Sequence, residues 1–211
     1  MDNQNEKRLI RLDLDGIDKI FWGYLLIFLD FRINNFDLLP DFVGYILIIV
    51  GLSRLSYLSD SFDEARIYAW ISLILSFLNL FRITNGISEI PGWFWIYYII
   101  GGLIAVVIDI LLYNHLISGI QQIAVSCGNE EYADKSQRIF NWLVAVIISN
   151  FLFGAIVLFL GENAFTVFLT IALIIFSLAV EIIFLSFLRD VYKTFHGAEV
   201  EDRSEENKEE T

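Results

Sequence analysis

The chain holds one cysteine, Cys127, two prolines, Pro40 and Pro91, and charged residues at only 19% of its 211 positions. A single thiol excludes an intramolecular disulfide, and together with two histidines it falls short of the four N or S ligands of a structural zinc site. Scarce proline leaves long helices uninterrupted. Roughly a quarter of residues are charged in an average soluble domain, so the charge content alone moves the chain out of that class. Signatures of common chemistry are also missing: there is no H-E-x-x-H, P-loop, G-x-S-x-G or C-x-x-C. No cofactor, metal or nucleic-acid partner is expected.

Apolar sequence fills the space. Hydrophobic residues make up 56% of the chain and the mean hydropathy is +0.61, so the lipid bilayer is the first partner expected. Five apolar runs stand out, at 36–55, 67–83, 93–116, 139–160 and 164–188. Each approaches the ~20 residues that a helix needs to cross ~30 Å of hydrocarbon. A sixth, 17–36, is weaker because its clean apolar part ends at Asp30 and Arg32.

Loop charge favours counting it. With six crossings and the N-terminus in the cytoplasm, only Arg32 and Arg82 of the 14 Lys and Arg lie outside. Without the first crossing that bias almost disappears, and Lys and Arg in short loops set orientation. The expected fold is therefore all-α: a cytoplasmic segment at 1–16, then a transmembrane bundle at 17–188. Its six helices lie near 17–36, 37–55, 67–83, 93–116, 139–160 and 164–188. An acidic tail follows at 189–211, expected to be disordered, with 197–211 dispensable for folding. Much of the formal net charge of -12 resides in that tail. No cleavable signal peptide is expected, so the first helix serves as its own insertion signal. Trp22, Trp70 and Trp142 fall just inside the cytoplasmic helix ends and Trp93 and Trp95 at an outer end, as interfacial belts do.

Connections and packing can also be anticipated. Gly128 suits a helix C-cap and Asn129 the next N-cap, while Gly161, Glu162 and Asn163 form a tight turn between the last two helices. Small residues at Gly44 and Gly51, Ser72 and Ser76, Gly101 and Ala105, and Ala145 and Ser149 permit close helix approach. The run Leu12-Asp13-Leu14-Asp15-Gly16 mimics a phosphatase D-x-D-G or a calcium loop. The calcium register would put Arg11 and Trp22 at ligand positions, and no α/β domain follows, so a membrane-proximal segment is expected instead.

Two polar constellations remain. Asp30, Arg32, Asp37, Asp41 and Arg82 gather at the outer face, either as a salt-bridged cap of the first hairpin or as a vestibule for a small cation or polar solute. Asp109 and Glu181 lie at equal depth, each about 10 Å inside its helix end at 1.5 Å per residue, with Asn114, His115 and Asn150 as further polar candidates. Ionisable groups in a membrane are costly and mark function unless they only serve packing.

The stretch L-D-F-R-I-N-x-F-D-x-L-P-D-F-x-G-Y, beginning at Leu29, resembles the N-terminal signature of a group of small, mostly uncharacterised bacterial multi-pass membrane proteins. The resemblance covers about 30 residues and implies a bacterial cytoplasmic membrane without a defined activity. Three function classes follow from the residues. The first is small-solute or ion translocation through a polar bundle interior, and the second a non-catalytic accessory, immunity-type or scaffold subunit. An intramembrane enzyme acting on lipid comes last, since no nucleophile or metal set assembles.

Overall fold

The computed structural model describes residues 9–29, 32–33, 36–37, 41–83, 94–161 and 163–201, with side chains at 11–29, 41–76, 99–157, 161 and 163–198. Six helices carry the chain: α1 Asp15–Leu29, α2 Asp41–Leu55, α3 Asp60–Ile83, α4 Phe94–Ser126, α5 Glu130–Leu160 and α6 Ala164–Phe195. Two short ladders accompany them. Strand β1 (Leu9–Arg11) pairs antiparallel with β4 (Glu199–Glu201), and β2 (Arg32–Ile33) with β3 (Phe36–Asp37). Each helix packs against its neighbours in sequence, and α6 returns to α1, which closes a ring.

Among the described residues, three helices, α4, α5 and α6, are long and apolar enough to cross a membrane. α1 and α2 have 15 residues each, about 22 Å of helix against ~30 Å of hydrocarbon. Their expected ranges, 17–36 and 37–55, lose residues to the β2–β3 hairpin. α3 is 24 residues long and opens on Asp60, Asp63, Glu64 and Arg66 ahead of the expected start at 67. Beyond the apolar runs, α4 continues past 116 to Ser126 and α5 begins at Glu130, as the caps expected at Gly128 and Asn129 imply, while α6 runs past the expected 188 to Phe195. Apolar runs mark what lipid can cover; helices extend further wherever caps and side chains support them in water.

Those caps are visible. Gly128 adopts φ 69° after α4, and the Asn129 side chain accepts the Tyr132 N–H at the start of α5. After α5, Gly161 takes φ 68°, and Asn163 accepts the Phe165 and Thr166 N–H groups while its own N–H donates to the Thr166 hydroxyl. This reciprocal arrangement satisfies helix N–H groups that have no intrahelical partner.

The tail differs as well. Positions 189–195 complete α6, and Gly197 and Ala198 then bond to Leu12, with Gly197 N–H to Leu12 O and Leu12 N–H to Ala198 O both at 2.8 Å. The chain ends are thus tied through the β1–β4 ladder; 202–211 lie outside the described residues.

Packing is tightest between α1 and α2. Gly23 and Gly44 face each other, as do Gly16 and Gly51, so a Cβ on Gly23 would sit 2.6 Å from the Gly44 carbonyl oxygen. The buried core concentrates at the end of the ring that holds the chain termini, in Leu14, Ile17 and Ile20 of the first segment, Leu52 and Leu55, Phe62, Leu116 and Ile120, and Phe184 to Val191 on α6. α6 has no buried residue between Thr166 and Val180, and Phe168, Ile171 and Ile175 there are exposed, as a lipid-facing surface requires.

Candidate functional site

Where the core ends, polar groups begin. Tyr113 lies one turn along α4 from Asp109, so both point from the same face. Its ring stacks on Tyr24 of α1 with centroids 5.3 Å apart, and both rings meet Phe184 of α6 edge-on, at 5.4 and 5.1 Å. Glu181 precedes Phe184 by three residues on that face. Between α1, α4 and α6 these residues form a partly open cavity of about 270 Å³, lined by Tyr24, Ile27, Phe28, Tyr113, Glu181, Phe184 and Leu185.

Asp109 is not among the residues that line this cavity. The Ser72 hydroxyl of α3 and Tyr45 of α2 lie beside the Asp109 carboxylate, and Tyr113 is within electrostatic reach of both Asp109 and Glu181. The two carboxylates therefore share a neighbour rather than each other. Neither is in an ion pair among the described residues. The hydroxyls of Tyr24 and Ser72 are buried without a partner in good hydrogen-bond geometry, with Tyr113 beside the first and Asp109 and Tyr45 beside the second. Buried polar atoms are normally satisfied by protein or water, and a cavity of this size holds several waters. The donor set is all oxygen, suited to protons, water or hard cations rather than to soft metals.

The remaining inner candidates are not part of this group. Asn114 and His115 lie about 140° and 120° around α4 from Asp109, in opposite senses. His115 Nδ1 contacts Glu64 Oε2 at 2.6 Å and its ring stacks on Tyr68, which places it in the α3–α4 seam. Asn150 donates to Ser177 Oγ at 2.9 Å across the α5–α6 seam. Of the outer candidates, Arg32 and Asp37 are cross-strand partners in the β2–β3 ladder. Asp41 opens α2 one turn from Tyr45, which is within its electrostatic reach. Asp30 lies outside the described residues, as do the side chains of Arg32, Asp37 and Arg82.

Tyr24, Tyr45 and Tyr113 were not singled out by sequence, and Ser72 was marked only as a small packing residue. A signal existed for Tyr24, which stands well inside its helix whereas interfacial tyrosines belong at helix ends; Tyr113, three residues from the expected end at 116, gave none.

The Asp13-Leu14-Asp15 run forms a second polar cluster, with Asp13, Asp15 and His196 side chains near one another. Its groups are spent on holding the chain together. Asp13 Oδ1 accepts the Asp15 N–H at 3.0 Å, and His196 Nδ1 accepts the Leu14 N–H at 3.2 Å. The Tyr57 hydroxyl accepts the Asp13 N–H and donates to the Asp13 carbonyl, both at 3.1 Å. A neutral imidazole has one lone pair, and here the Leu14 N–H uses it, so the arrangement is a clasp joining α1, the α2–α3 turn and α6.

No family model, curated protein or solved structure matches the chain. The resemblance at 29–45 accordingly stands on its residues alone.

Proposed function

We propose that the chain is a six-crossing protein of a bacterial cytoplasmic membrane, with both ends inside, that passes protons or small cations through the ring interior. The observation that carries this reading is the partly open cavity that Tyr24, Tyr113 and Glu181 line, with Asp109 one turn from Tyr113 on α4. A carboxylate at membrane depth with no cationic partner costs several kcal/mol unless a proton, a cation or water offsets the charge. Tyr113 is within electrostatic reach of both acids, and with one of the two protonated its phenol can accept from the carboxylic acid and donate toward the carboxylate, a short relay.

The frame rests on loop charge and on exposed tryptophans. Trp22, Trp70 and Trp142 are each about half exposed; they stand mid-helix in α1, α3 and α5 but only a few residues inside the ends of the apolar runs that the charge bias places in the cytoplasm. An externally applied thiol reagent should label Asn163→Cys in intact cells. Cys127 is half-buried and burial pushes its thiol above the ordinary range, so it should stay silent. Failure to label position 163 from outside would reverse or break the frame.

Reconstitution into liposomes with proton, Na⁺ and K⁺ gradients tests the activity. The wild-type chain should carry at least one of these ions, and Asp109→Asn should slow that flux about tenfold or more while leaving the protein folded. No flux from folded protein for any ion would remove the transport reading and bring the accessory-subunit reading forward.

A further inference from the structure

A second cavity lies on the outside of the ring, in the groove between α1 and α6, with a volume of about 150 Å³. One wall is apolar: Phe21 and Trp22 from α1 and Leu188 from α6. Arg189 and Lys193 supply the other wall, one turn apart on α6 and both exposed. Neither is in an ion pair among the described residues. The neighbouring carboxylate, Asp190, is held instead by Lys135 of α5 at 3.3 Å. Arg189 lies over the Phe21 ring, 5.8 Å from its centroid, which fixes its guanidinium at the groove.

The height of the groove matters as much as its charge. Leu188 is the last residue of the apolar run of α6, and Arg189 begins the charged end. Trp22, 49% exposed, stands at that level, where indoles mark the boundary between hydrocarbon and head groups. Above it, Ile182 and Leu178 continue the Arg189 face of α6 and are 55% and 40% exposed. An apolar track thus leads from the membrane down to two unpaired cations.

We propose that this groove binds the head-group phosphate of an acidic phospholipid, with the acyl chains lying along Trp22, Ile182 and Leu178. Arg189 presents a planar fork that matches phosphate oxygens, and Lys193 adds a point charge one turn away. Asp18 is the one acid in the cavity lining, against two cations, while Asp15, held by the Tyr192 hydroxyl, and Asp13 lie beyond it; the lining itself thus favours a lipid of net negative charge over a zwitterionic one. The site rests on the membrane reading of α6 but not on any transported ion, and its orientation in the bilayer is immaterial to binding.

Native mass spectrometry and thermal melting of the full-length protein in neutral detergent test it, with phosphatidylglycerol, phosphatidylcholine and inorganic phosphate added separately. Phosphatidylglycerol should remain bound at low stoichiometry and raise the melting temperature, while the other two do neither. The double variant Arg189→Gln/Lys193→Gln should bind it about tenfold more weakly or worse, and Asp18→Asn more tightly. Both changes are needed for support, and the gain in Asp18→Asn keeps the test decisive if the double variant is unstable. Equal retention of phosphatidylcholine would mean an unselective lipid annulus. An equal shift from inorganic phosphate would mean a free-anion site, and an unchanged affinity in the double variant would mean that these cations are not the contact. Each of these outcomes overturns the proposal, and all are read without measuring flux.

Discussion

Asp109 and Glu181 were legible in the sequence because a carboxylate inside an apolar run has no bland neighbour to hide among. Their equal depth was legible too. Their direction around the helix was not, and that separates Tyr113, one turn from Asp109, from His115, which turns away to Glu64 and Tyr68. Tyrosines inside helices count toward hydrophobicity, so the Tyr24–Tyr113 stack emerges only when α1, α4 and α6 meet. Tyr57 gives a test on a single hydroxyl. Its phenol accepts from and donates to the Asp13 backbone, and burial, with the nearby Asp13 charge, raises it above the ordinary value. A raised folded value favours the neutral phenol, so its contribution is complete below pH ~10, the ordinary tyrosine value, and fades as pH rises further. Tyr57→Phe should cost about 1 kcal/mol near neutrality. The difference in melting temperature between variant and wild type should shrink above that pH; a constant difference would show that ionisation of this phenol is not involved.

Helix ends followed local chemistry that the sequence displays. Gly128, Asn129, Gly161 and Asn163 fall where the expected caps and turn put them. Helix lengths did not follow, since hydropathy measures lipid contact. The first two turns of α5 are polar yet helical, held by the Asn129 cap and by Ser136 Oγ donating to the Tyr132 carbonyl. Glycines show the same division. Gly44 and Gly51 were marked for packing, but their partners Gly16 and Gly23 were not: Gly16 fell just before the expected start of the first helix at 17, and Gly23 lay inside that helix unmarked. The two pairs sit seven residues apart on both helices, so α1 and α2 touch backbone to backbone at two levels. Gly23→Ala should therefore lower the melting temperature in detergent by the equivalent of about 1–3 kcal/mol. Gly101→Ala, where a Cβ meets nothing within 4 Å, should be neutral or slightly stabilising. Equal effects would deny that the α1–α2 contact is set by glycine.

The assembled ring shows what local patterns cannot encode. An all-helical bundle was legible from composition, and three of its helices have the length and apolarity to span. Closure of α6 onto α1, and the joining of the chain ends by β1 and β4, depend on residues far apart in sequence. The acidic composition of 197–211 concealed the Gly197 and Ala198 backbone bonds to Leu12. Truncation after His196 should consequently cost about 1–3 kcal/mol through lost hydrogen bonds. Truncation after Glu201 retains every one of those bonds and should cost little; equal melting for the two would show that the ladder adds no stability. The interior is the central matter, and liposome flux of Glu181→Gln beside Asn150→Ala addresses it most directly. Glu181 lines the cavity with Tyr113, whereas Asn150 bonds Ser177 in the α5–α6 seam. The account predicts that Glu181→Gln loses about tenfold or more of the wild-type flux while Asn150→Ala stays near wild type. Retained flux in Glu181→Gln, or equal losses in both folded variants, would contradict it.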